Sequence, residues 1–127
     1  MITRRVALFL PALLLYGQAV PDFAKWWPTF QAAVAKPDAT AVAKMAHFPL
    51  SWENGAVREI ATEADFVKNF GAYFTAEIRK AIATGKSERL PDGTYMVTWK
   101  ARGDEYSLYF RPRGSAFMLD ALSEGPA

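Results

Sequence analysis

One histidine, thirteen carboxylates and no cysteine make up most of the chemical resources of this 127-residue chain. The lack of cysteine removes disulfides, thiolate metal sites, a cysteine nucleophile and a lipid-anchored leader. His47 alone cannot hold zinc, so no metal site is expected. It follows a short helical stretch, where an imidazole can meet free backbone carbonyls and the negative end of the helix dipole, and a capping role is expected for it. No Gly-x-Ser-x-Gly nucleophile turn and no phosphate-binding glycine loop occurs.

The carboxylates offer little more. Asp65 falls at the third position after Thr62, the spacing of a capping box, and Asp104 belongs to a turn. Tyr73 and Glu77, on one expected long helix, form a polar cluster with Tyr95 if that helix turns them inward, although Glu77 suits a solvated face equally well. Strand parity groups Asp120 with Met118 and Leu122, away from Phe117 and Leu119. Arg102-Gly103-Asp104 spells an adhesion tripeptide, but these residue types are also what a hairpin loop needs.

The remaining chemical signal is aromatic. Trp52, Tyr73, Tyr95, Trp99, Tyr106, Phe110 and Phe117 are the candidates for a pocket wall that holds an apolar or ring-shaped ligand. The same residues would equally fill a core. No cofactor is implied.

The elements that must position these residues follow from periodicity. Hydrophobic residues make up 51% of the chain and charged residues 22%, the balance of one globular domain. Met1 to Ala19 has the pattern of a signal peptide. Arg4 and Arg5 precede the apolar run Val6 to Tyr16, and Gly17-Gln18-Ala19 provides a small-x-small cleavage site. As a helix that run is about 16 Å long, roughly half a bilayer core, so no membrane span is expected. The domain is then 20–127, periplasmic or secreted. Of 15 Lys and Arg, two lie in the leader, so the mature chain balances its 13 acidic residues and lacks the excess of a nucleic-acid binder.

Phe23, Trp26, Trp27, Phe30 and Val34 recur at helical spacing, with the helix starting near Pro28 or after a short turn. Asp38 caps a second helix through Ala39, Val42, Ala43 and Ala46. Phe48 to Trp52 form a short strand before a turn at Glu53-Asn54-Gly55. One long helix is expected through Phe66, Phe70, Tyr73, Phe74, Ile78 and Ile82, closed by Gly85 in a left-handed cap. Four strands follow, at 87–90, 94–101, 105–111 and 116–122, joined by Pro91-Asp92-Gly93, Arg102-Gly103-Asp104 and Pro112-Arg113-Gly114. Phe70, Phe74, Trp99, Leu108 and Phe117 are expected in the core. The outer face would carry Met96, Thr98, Ser107, Tyr109, Met118 and Leu122, with Lys100, Glu105, Arg111 and Asp120 among them. A semi-polar face of this kind suits a homodimer.

This α+β order, helix-helix-strand-helix and then a four-strand meander forming a curved antiparallel sheet, resembles the cystatin-like cone of the nuclear-transport-factor-2-like superfamily. Phe23-x-x-Trp26-Trp27-Pro28-x-Phe30, Asp38 and Phe48-Pro49-Leu50 are similar to small exported bacterial proteins of that superfamily. The resemblance implies a cone with a possible cavity, and some members use a histidine or a Tyr and Asp set. No position here carries that set. Three functions stay open: a non-enzymatic binding module for a small apolar ligand or a protein partner, a small isomerase or dehydratase using the cavity, and a periplasmic inhibitor or immunity-type protein. A tyrosine and a carboxylate in hydrogen-bond reach within one pocket would favour the enzyme.

Overall fold

A computed structural model describes residues 21–126. The expected leader lies outside the described residues. The fold is α+β, and the described helices all fall before residue 85. The elements are α1 (Phe23–Ala35), α2 (Ala39–Lys44), β1 (Ala46–Asn54), β2 (Val57–Ile60), α3 (Glu63–Lys68), α4 (Phe70–Tyr73), α5 (Ala76–Thr84), β3 (Ser87–Arg89), β4 (Tyr95–Ala101), β5 (Asp104–Arg113) and β6 (Ala116–Pro126).

Helix α1 begins well before Pro28. The Asp22 carboxylate accepts the Ala24 amide at 3.0 Å, and the helix continues through the proline. Pro28 forfeits one backbone hydrogen bond. Burial of Phe23, Phe30, Ala33 and Val34 on the opposite side offsets that loss. Asp38 caps α2 as its position implies, accepting the Ala41 amide at 3.1 Å. His47, by contrast, is the second residue of β1, so it does not cap α2. The cap position belongs to Met45.

The expected long helix is broken into three. Phe66, Phe70, Phe74, Ile78 and Ile82 keep one buried face throughout. The backbone, however, leaves helical geometry at Asn69 and again at Thr75, whose hydroxyl accepts the Ile78 amide and opens α5. Thr75 restarts the helix with its hydroxyl cap, whereas Asn69 makes no side-chain cap and donates its amide back to the Asp65 carbonyl and carboxylate. Gly85 closes α5 in an extended conformation, φ −73°, and not in the left-handed cap the sequence suggests. It is glycine because a Cβ there would collide with the Ala81 carbonyl and stand 2.7 Å from Val97 Cγ1.

The sheet has six strands in the order β2-β1-β6-β5-β4-β3. It is mixed, not wholly antiparallel, because β1 and β6 run parallel. The strand β2, which the sequence reading missed, pairs antiparallel with β1 through Leu50↔Ile60. At the β4–β5 hairpin, Arg102 and Gly103 both have positive φ, 54° and 81°, as a two-residue type I′ turn requires.

One irregularity changes a face. Between β5 and β6 the register steps from Phe110↔Leu119 to Tyr109↔Ala121, so Asp120 is an extra residue in a β-bulge. Side-chain parity reverses after it. Leu122, expected outside, is fully buried beside Leu108, while Ala121 turns outward beside Tyr109. Of the expected core, Phe70, Phe74, Leu108 and Phe117 are buried, but Trp99 is only partly so. Among the described residues no helix is long and apolar enough to cross a membrane.

Candidate functional site

The seven aromatic candidates do not meet in one cavity. Trp52 and Tyr73 belong to a cluster with Phe66, Phe70 and Phe74, in which Trp52 is fully buried and stacks on Phe74. Tyr95, Phe110 and Phe117 pack against Phe23 at the other end of the fold. Trp99 and Tyr106 stack on each other, centroids 5.4 Å apart. Trp52 and Phe110 therefore fill core. Tyr95 and Phe117 also line a shallow cleft of about 240 Å³, together with Pro21, Arg89, Gly93 and Pro112.

The predicted cluster of Tyr73, Tyr95 and Glu77 does not form. The Tyr73 phenol donates to Asp65 at 2.8 Å, and Asn69 donates to the other oxygen of that carboxylate at 2.9 Å. The hydrogen bond to Asp65 raises the Tyr73 phenol above its ordinary value, helped by burial and by the carboxylate charge. Tyr95 stacks flat on Phe23. Glu77 turns instead to Arg102.

A polar network grows from that contact. The Arg102 guanidinium donates to both Glu77 oxygens, at 3.0 and 3.3 Å, and to the Tyr106 hydroxyl at 2.9 Å. Tyr106 in turn donates to Glu124 at 3.1 Å. Glu124 stands directly across the β5–β6 ladder from Tyr106, and it also accepts the Gly55 amide from the β1–β2 turn at 3.3 Å. The Gly55 amide is the main reason the Glu124 carboxyl lies below its ordinary value; burial opposes this, while Tyr106, Asp104 and the Arg102 charge assist. Hydrogen bonds from Arg102 to Glu77 and Tyr106 hold the guanidinium still more firmly protonated. Both shifts lead away from neutrality, whereas proton transfer at neutral pH needs a group that titrates near it.

Beside this network lies a cleft of about 370 Å³ between α5 and β4. Glu77, Lys80, Ala81 and Thr84 line it from one face of α5, and Trp99 and Lys100 line it from β4. The helical spacing of three and four places the α5 residues in a stripe. Ala81 leaves room where a larger side chain would close the gap. Thr84 donates its hydroxyl to the Lys80 carbonyl at 2.8 Å. Among the described residues, neither Lys80 nor Lys100 forms an ion pair. Strand β3 pairs only with Tyr95–Val97, so the edge of β4 beside Trp99 has no strand partner.

Of this cleft the aromatic reading singled out Trp99 and weighed Glu77. It missed Lys80, Ala81 and Thr84, whose only sequence signal is their spacing along α5, and Lys100, which strand parity assigned to the outer face. It also missed Arg102 and Glu124, which stand far from Glu77 along the chain. Among the described residues no group of three or more His, Cys, Asp or Glu could hold a metal ion. In comparisons with known proteins, no family model, curated protein or solved structure matches this chain.

Proposed function

We propose that this chain is a small-ligand binding module and that the cleft between α5 and β4 is its site. The observation that carries the reading is the cleft itself: a volume suited to a small molecule, walled by a half-buried tryptophan and rimmed by polar groups. Binding is favoured over turnover because the two tyrosine–carboxylate pairs, Tyr73–Asp65 and Tyr106–Glu124, line neither this cleft nor the smaller one. The carboxylate that does line it, Glu77, is clamped by Arg102. Titration of neutral and charged one- and two-ring compounds, followed by amide NMR, tests the site. Shifts should map to α5 and β4 and vanish in Thr84→Trp, which fills the cleft from an exposed position. Shifts that survive in Thr84→Trp would place the site elsewhere.

The wider setting of this reading is an exported domain of the cone type, resting on the leader pattern and on the element order. N-terminal sequencing of exported protein should begin at Val20; a start at Met1 would remove the export reading. A second copy is the partner that suits the sheet face turned away from the helices. That face presents Met96, Tyr109 and Met118 among charges of both signs, although Leu122 no longer contributes to it. Sedimentation at micromolar concentration should give a dimer that Tyr109→Glu dissociates, and a single monomeric species would end this proposal.

A further inference from the structure

We infer that the α5–β4 cleft takes a planar lactam, a neutral ring that carries an adjacent N–H and C=O on one edge. The inference rests on the cleft being a binding site. Lys100 alternates with Trp99 along β4 and stands opposite Glu105, so its side chain belongs to the outer sheet face. What it presents to the cleft is therefore its peptide backbone. The ladder gives the direction of that backbone. The two-residue turn makes Ala101 and Asp104 a hydrogen-bonded pair, and such pairs alternate along antiparallel strands. Trp99 thus exchanges its hydrogen bonds with Tyr106, while the N–H and C=O of Lys100 point away from β5. Just before β4, the Thr94 carbonyl accepts the Leu90 amide at 2.7 Å, so even-numbered positions face the β3 side. Strand β3 reaches only as far as Val97. Lys100 therefore offers one donor and one acceptor, side by side, on an edge with no strand partner.

Shape points the same way. Tyr106 covers one face of Trp99 from the β5 side, the two planes 11° apart, and this leaves the other face toward the free edge. A planar ring stacks there at little conformational cost. The edge is short. Gly85, packed against Val97, bounds it at one end, and the Arg102–Glu77 clamp bounds it at the other. Roughly 10 Å of strand lies between them, too little for an added peptide strand. The cleft volume, about 370 Å³, suits one or two fused rings.

Charge gives little basis for selection, because Glu77 is already held by Arg102 and Lys80 is exposed to water. Hydrogen bonding gives more. A ring without polar groups would displace water from the Lys100 N–H and C=O and replace neither bond, which costs affinity. A lactam replaces both at once.

The test titrates the full chain with 2-quinolone and with N-methyl-2-quinolone, which keeps the ring and loses the donor. NMR follows the Trp99 indole and the Lys100 amide. 2-Quinolone should bind about fivefold more tightly, the worth of one hydrogen bond. It should also slow hydrogen exchange at the Lys100 amide, and the preference should not change with salt. Lys100→Pro deletes an N–H that no strand uses and should weaken 2-quinolone. The compound pair probes the same edge without altering the chain, so it decides even where that variant does not fold. Equal affinity for the two compounds, both abolished by Thr84→Trp, would overturn the lactam while leaving the binding site in place. No perturbation of the cleft by either compound would overturn both.

Discussion

Trp99 lies parallel to Tyr106 with ring centroids 5.4 Å apart, and this stack joins the wall of the α5–β4 cleft to the polar network behind it. Tyr106 is buried, and its hydroxyl both accepts from Arg102 and donates to Glu124. The cleft wall is therefore positioned by hydrogen bonds made on the far side of the residue it leans on.

Tyr106→Phe keeps the ring and deletes both hydrogen bonds. It should lower stability by about 1–2 kcal/mol, as loss of a hydrogen bond to a charged group does. Tyr106→Ala removes the stack as well and should cost about 3–5 kcal/mol. Urea denaturation measures both, and equal losses for the two variants would show that the stack contributes nothing.

The tryptophans should separate by burial. Trp52 is fully enclosed between Tyr73 and Phe74, so Trp52→Ala should destabilise by about 3–5 kcal/mol. Trp99 is partly exposed, and Trp99→Ala should cost less, about 1–3 kcal/mol, while also enlarging the cleft. The Trp52 indole N–H is buried without an acceptor, so Trp52→Phe should recover most of the loss. Thermal melts of the three variants decide the order.

Asp120 predicts an acid limb in the stability profile. Burial by itself would raise its carboxyl, but hydrogen bonds from Arg113 at 2.9 Å and Arg111 at 2.7 Å outweigh burial and bring it below the ordinary 3.8. A depressed carboxylate contributes stability that is fully present above its unfolded value and is lost as pH falls through the folded one. Asp120→Asn should therefore be less stable than the parent at neutral pH. The difference should close as pH falls below about 4, and a difference that stays constant from neutrality into that acid range would contradict the ion pairs.

The bulge makes adjacent residues opposite in tolerance. Leu122→Lys would place a charge in the core and should unfold the domain or cost more than about 3 kcal/mol. Ala121→Lys puts the same charge on the outer face and should cost less than about 1 kcal/mol. The reverse ranking would mean that β6 follows regular parity.

Much of this fold is legible locally. Asp38 and Thr62 cap the helices they precede, because a short side chain beside a run of free amides needs no distant partner. The four-residue spacing from Phe66 to Ile82 marks one buried face even though the backbone breaks twice beneath it. The hairpin at Arg102-Gly103 follows from the tolerance of glycine for positive φ. Each of these is settled by neighbours a few residues away.

Other features required the assembled structure. Nothing in residues 116–122 announces that Asp120 is extra; the bulge exists because Leu119 and Leu122 must both reach the core while β6 pairs with β5 on one side and β1 on the other. Glu77 looks like a solvated helix residue until the β4–β5 turn brings Arg102 to it, and Glu124 becomes a partner of Tyr106 only through the β5–β6 ladder. The cleft depends on α5 lying beside an edge of β4 that β3 is too short to cover. Caps, turns and apolar faces are short-range choices of the backbone and are written in neighbouring residues. Parity after a bulge, ion pairs between remote residues and the space left between elements are properties of packing, and they arise once the elements meet.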